Sequence, residues 1–160
     1  MKRLPKPAVR TAPRPAPPAA AGYSGTPLVK KLGLLGLKAP LKLLVAGAPR
    51  EYASWLGELP EGVALVSRAA KPVAAAHVFV TGRAALAKQL AALRRSLAPA
   101  GFVWVSWPKK ASKVPTDVTE DVIRELALPL GFVDVKVCAV SEVWSGLKLV
   151  IRVSERSAGR

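Results

Sequence analysis

The sequence predicts an α/β fold: a mostly parallel sheet that ends in an antiparallel hairpin. Two observations lead there. Past residue 20 the apolar pattern alternates between short β-rich runs and stretches of helical spacing, the rhythm of βα units around a parallel sheet. The last such stretch, FVDVKVCAV and LKLVIRV joined by SEVWSG, alternates apolar and polar residues and turns back on itself.

Taken in order, residues 1–20 hold six of the 15 prolines, five basic residues and no acid, so they are expected to form a disordered Pro/Ala/Arg-rich tail before a single domain over 21–153. Residues 154–160 read as a short flexible basic tail. Tyr23, Ser24, Gly25 and Thr26 form a turn-like group in which Ser24 or Thr26 caps a short helix, with Pro27 at its first position and Leu28, Val29, Leu32 and Leu35 as its apolar face. LKLLVAG (41–47), VALVS (63–67), HVFVTG (77–82) and FVWVSW (102–107) are nearly continuous apolar runs, as expected of four parallel strands covered on both faces. Leu86, Leu90, Leu93 and Leu97 share one helical stripe that Pro99 and Gly101 close. A second helix is expected from Thr116 or Asp117, with Asp117 and Glu120 as cap, Val118, Val122, Ile123 and Leu126 as buried stripe, and Pro129 and Gly131 as stop.

A chain of 160 residues, 51% of them hydrophobic, supports one domain with a real core. Lysine and arginine number 25 against 10 acids, a formal charge of +15, which favours anionic partners such as nucleic acid, nucleotides or an acidic surface. The tail carries five of those cations, so the remainder is basic in its own right. The one cysteine, Cys138, has no partner for an intramolecular disulfide, which suits a reducing, cytoplasmic setting. One histidine and one cysteine cannot build a zinc site, so no metal is expected, and His77 reads as structural or incidental. The basic N-terminus lacks an apolar core before residue 20, so a secretory signal is not expected. Lysines and Pro40 break the stretch from Leu28 to Ala48, which excludes a membrane-spanning helix there.

RAALAKQLAALRRSLAPAGFVWVS, followed by LPLGFVDVKV and a hairpin with Trp144 in its turn, resembles the later half of a class I S-adenosylmethionine-dependent methyltransferase. That resemblance implies a Rossmann-like sheet, here one βα unit shorter than usual because the interval from VALVS to HVFVTG is too short for a helix and a strand. AGYSGTPLVKKLG and WVSWPKKASKVPTD also resemble a bacterial family known only as a domain of unknown function, over about residues 21–153. The chain departs from the methyltransferase pattern at the expected cofactor site. The glycine-rich turn reads Ala46, Gly47, Ala48, Pro49, Arg50, and the ribose-binding acid is replaced by Ser67 and Arg68. S-adenosylmethionine is therefore disfavoured as a cofactor, and methyl transfer with it.

Ligands of open parallel sheets gather at the carboxyl ends of the strands. There the sequence supplies Arg50, Arg68 and Arg83 after the first three strands, and Trp107, Lys109, Lys110 and Lys113 after the fourth. These seven residues are the expected ligand-binding set, for a phosphate-bearing or nucleic-acid ligand; the alternative is that they simply populate solvated loops. Trp107 and Trp144, at a strand end and in a turn, are candidate stacking surfaces, whereas Trp104 lies within a strand and reads as core. No catalytic set is legible. The expected function is a noncatalytic or degenerate methyltransferase-like binding domain, against an active enzyme with an atypical cofactor site or a protein-interaction scaffold.

Overall fold

The computed structural model describes residues 26–37 and 39–156. The tail expected over 1–20, the turn at Tyr23, Ser24 and Gly25, and residues 157–160 lie outside the described residues. Residues 154–156, expected to open a flexible tail, are tied back: Glu155 sits in a 3-10 turn and pairs with Arg94 at 3.2 Å and with Arg152 at 2.8 Å.

The strands are β1 (Leu41–Ala46), β2 (Val63–Val66), β3 (Val73–Phe79), β4 (Leu97–Pro108), β5 (Phe132–Ala139) and β6 (Trp144–Ile151). They form one six-stranded sheet in the order β2-β1-β3-β4-β6-β5. The first four are parallel, and β6 runs antiparallel to both β4 and β5. This is a Rossmann-like mixed sheet with the C-terminal hairpin that the sequence predicts. The crossover from β2 to β3, residues 67–72, holds no helix, in keeping with the expected loss of one βα unit.

Alternation along the strands separates two cores. On one face Ala76, Val78 and Val80, Val103 and Val105, and Leu147 and Leu149 pack under Leu86, Leu90 and Leu93 of α3 (Arg83–Ser96) and Ile123 and Ala127 of α4 (Glu120–Ala127). On the other face Ala75, Phe79, Trp104 and Leu43 are covered by Leu28 and Val29 of α1 (Leu28–Lys31) and Tyr52 and Leu56 of α2 (Tyr52–Leu56). At about 1.5–3 kcal/mol per fully buried large apolar side chain, each layer contributes substantially to stability.

Several boundaries differ from the sequence reading. β3 begins at Val73 and ends at Phe79, because the small residues of VAAA pair as well as the bulky ones that follow. Helix α3 stops at Ser96, and Pro99 and Gly101 lie inside β4 instead of closing the helix. The β3–β4 register shifts between Val73 and Ala75, an irregularity that accommodates a proline with no N–H to donate. A Cβ on Gly101 would lie 2.9 Å from the Ala74 carbonyl oxygen, so only glycine fits that crossing. α4 begins at Glu120, with Thr119 as its cap accepting the Val122 N–H at 3.2 Å; Asp117 is not its cap. α1 ends at Lys31, and the left-handed Gly33 then turns Leu34 inward and leaves Leu35 exposed.

Candidate functional site at the carboxyl edge of the sheet

Strand β1 lies between β2 and β3, so the chain leaves it toward one neighbour and returns on the other side. That is the topological switch point, where sheets of this kind bind ligands outside the strand ends. Here Gly47 follows β1 with φ +73°, and a Cβ on it would lie 2.6 Å from the Phe79 carbonyl oxygen. The turn therefore rests on the end of β3, and the glycine serves that backbone contact as well as its left-handed conformation.

Under the switch point lies a buried polar chain. Tyr52 Oη is 2.7 Å from His77 Nδ1, and His77 Nε2 is 2.8 Å from Ser106 Oγ. A neutral imidazole has one N–H and one lone pair, so in either tautomer His77 donates one of these bonds and accepts the other. Burial lowers its pKa to about 3 and pushes the Tyr52 phenol well above its ordinary value. Phe79 stacks on His77 with ring centroids 4.3 Å apart, and Tyr52 and Trp144 each meet Phe79 edge-on at 5.1 Å. The chain's own aromatic rings thus occupy this space.

The cations lie outside it. Arg50 and Arg68 are exposed in the segments after β1 and β2. After β4, Lys109 is half-buried, Lys110 starts a single 3-10 turn, and Lys113 is left-handed at φ 63°. The loop is fixed at both ends. Lys109 N–H donates to the Val143 carbonyl at 2.7 Å, while Thr116 Oγ1 and Asp117 N–H both donate to the Thr81 carbonyl, at 2.7 and 3.2 Å.

Two of the seven expected residues are engaged elsewhere. Arg83 opens α3 and pairs with Glu125 of α4 at 2.8 Å, while Asp117 accepts the Arg83 N–H at 2.7 Å and so caps α3. Trp107, expected as a stacking surface, is only 8% exposed; it packs in the α3/α4 core because β4 runs on through Pro108. Trp104 is core, as expected, and its Nε1–H donates to the Leu32 carbonyl at 3.1 Å.

Sequence reasoning missed Lys31. Only 8% exposed, it reaches from α1 to donate to the Ala139 carbonyl at 2.9 Å. Burial holds its pKa below the ordinary lysine value; Cys138 opposes that shift and Lys109 adds to it, so the two lysines are neighbours. Lys109 is likewise lowered by burial, with Glu142 opposing. Nothing local in KKLG separates Lys31 from Lys30; only the fold buries it.

Among the described residues, ion pairs join Arg83 to Glu125, Arg94 and Arg152 to Glu155, and Arg124 to Glu120, Asp121 and Asp134. Those arginines lie on α3, on α4 or just after β6. Arg50, Arg68, Lys110 and Lys113 take part in none of these pairs.

No protein-family model matches the chain, and no curated protein matches it. Its structural neighbours are class I S-adenosylmethionine-dependent methyltransferases. A protein of Sulfolobus solfataricus assigned to the type 11 methyltransferases aligns at TM-score 0.53 and 14% identity, over 74% of this chain and 87% of its own. A TehB-like methyltransferase from Corynebacterium glutamicum aligns at 0.47 and 9% identity, over 82% and 91%. The magnesium protoporphyrin IX methyltransferase of Synechocystis PCC 6803 aligns at 0.48 and 11%, over 78% of each chain. The first of these carries the likeness, and it is a likeness of fold. Among the described residues no helix is long and apolar enough to cross a membrane.

Proposed function

We propose that the protein is a methyltransferase-like domain that has lost methyl transfer and binds a phosphate-bearing ligand at the carboxyl edge of its sheet. The observation that carries this reading is the row of cations at that edge that enter no ion pair. Carboxylates pair with Arg83, Arg94, Arg124 and Arg152, while Arg50, Arg68, Lys110 and Lys113 sit at one edge outside every ion pair of the described residues. Positive charge left without a carboxylate partner along one edge is what an anionic ligand would neutralise. A single cysteine without a disulfide partner suits the reducing cytoplasm.

The residues at the switch point do not fit S-adenosylmethionine. The one glycine retained there is pressed against the Phe79 carbonyl, Pro49 removes an N–H, and Arg68 cannot accept a hydrogen bond from a ribose hydroxyl. Fold alone does not restore an activity whose site is missing.

Calorimetry on the full chain tests both halves of the proposal. S-adenosylmethionine is expected to bind more weakly than about 1 μM, and inorganic tripolyphosphate is expected to bind and to lose affinity in Arg50→Glu/Lys110→Glu. Tight binding of S-adenosylmethionine would restore the enzyme reading. Tripolyphosphate binding that ignores the charge reversal would return these cations to the status of solvated loops.

A further inference from the structure

The edge cations are spread out rather than gathered into a pocket. Arg68 follows β2, Arg50 follows β1 and Lys110 follows β4, and β2, β1, β3 and β4 lie side by side. With strands about 4.8 Å apart, three intervals separate the outer two by about 14 Å before the loops are counted. One nucleotide gathers its phosphates at one place; a row of cations this long suits a chain with a phosphate at every step.

Trp144 stands at the hairpin end of that row. It is the first residue of β6, opposite Pro108 of β4, and its ring is half-buried. Its position is fixed four times over. Its N–H donates to Ser141 Oγ at 3.1 Å, its carbonyl accepts the Val140 and Ser141 N–H groups at 2.9 and 3.1 Å, and its ring meets Phe79 edge-on. The Lys109 N–H bond to the Val143 carbonyl ties the lysine loop to the same turn. A partly exposed indole held beside lysine ammonium groups is how proteins hold a base and its phosphate together without reading sequence.

Resting on the anion-binding reading above, we infer that the ligand is a single-stranded polynucleotide laid across the strand ends. Arg68, Arg50, Lys110 and Lys113 follow its phosphates, and Trp144 stacks on a base. Within a duplex the base faces are stacked on one another and offer Trp144 nothing to stack on, so a duplex should bind almost entirely by charge.

The test uses the full chain throughout, so that the basic tail is constant, and measures binding of oligothymidylates of increasing length, a duplex, ATP and inorganic tripolyphosphate across a salt series. Affinity is expected to rise with length until the oligonucleotide spans the edge, and to exceed that for the duplex, ATP and tripolyphosphate. Arg50→Gln, Arg68→Gln and Lys110→Gln should each lower the salt slope by about 0.7, one phosphate contact apiece. Trp144→Leu should weaken oligothymidylate roughly tenfold and leave tripolyphosphate unchanged. If that variant does not fold, the length series and the duplex comparison still decide. Should ATP or tripolyphosphate match the longest oligonucleotide and lose binding in the Gln variants, the anion reading stands and the polynucleotide falls. Equal binding of duplex and single strand also overturns it. If the Gln variants change nothing for any probe, both readings fail.

Discussion

Acid should destabilise this protein through its one histidine, beginning near pH 6.5. His77 is fully buried between Tyr52 and Ser106, and its pKa falls from 6.5 to about 3 in the folded chain. The folded protein therefore excludes a proton that the unfolded chain accepts, so stability is full above about pH 6.5 and is lost as pH falls toward 3. Over that window the slope approaches 1.4 kcal/mol per pH unit, which removes about 2 kcal/mol by pH 5 and about 3 by pH 4. The pH 5 figure hardly depends on how far the folded value is lowered, provided it lies well below 5. His77 is the only histidine in the sequence, so no second imidazole contributes to the slope. Denaturant unfolding of the wild type and of His77→Asn from about pH 7.5 to pH 5 is the assay. The wild type should lose about 2 kcal/mol; the variant, weaker at neutral pH for want of the two bonds, should change far less over that range. A wild-type stability that stays flat would mean that the folded state takes up the proton, and the buried neutral chain described here would be wrong.

Tyr52→Phe or Ser106→Ala, each leaving one His77 nitrogen unpaired in the core, should cost about 1–3 kcal/mol by denaturant unfolding at neutral pH. Gly47→Ala places a methyl 2.6 Å from the Phe79 carbonyl oxygen at a φ of +73°, and the loss should be about 2–3 kcal/mol by the same measurement. Lys113→Gly relieves a left-handed lysine at φ 63° and should raise the melting temperature by about 2 °C, whatever it does to anion binding.

Where the sequence pattern was regular, the fold was legible. LKLLVAG and FVWVSW marked strands as short apolar runs rich in residues that suit a doubly covered sheet, and three of the four predicted stripe leucines, Leu86, Leu90 and Leu93, lie buried on α3, while Leu97 opens β4. The hairpin was legible from its alternation. What escaped were features decided by distant partners. Asp117 looks like the cap of the helix that follows it, yet it caps α3, 34 residues away in sequence, because the 109–117 loop folds against Thr81. Trp107 looks like a strand-end aromatic, but β4 extends one residue beyond it and buries it. His77 had no polar neighbour in sequence; Tyr52 and Ser106 arrive from α2 and β4. Of the edge cations, the turns after the strands could be placed from sequence, whereas which of them faced a carboxylate could not, since Arg83 and Glu125 meet only when α3 packs on α4.

The buried chain and the exposed edge are linked through one short element. Helix α2 spans only Tyr52–Leu56, far too short to hold together on its own propensity, so its position depends on what its side chains grip. Leu56 fills the core, and Tyr52 binds His77 in the middle of the sheet. Arg50 lies two residues before Tyr52, in the turn that begins with Gly47 resting on Phe79. The turn is thus clamped at both ends by contacts to β3, one through backbone and one through the polar chain. A guanidinium carried on a clamped turn loses less freedom when it meets a phosphate than one on a loose loop. By the same logic the lysine loop, anchored at Val143 and Thr81, supplies the opposite end of the row from a fixed position. The Tyr52–His77 pair that fills the switch point therefore also fixes the turn that carries Arg50.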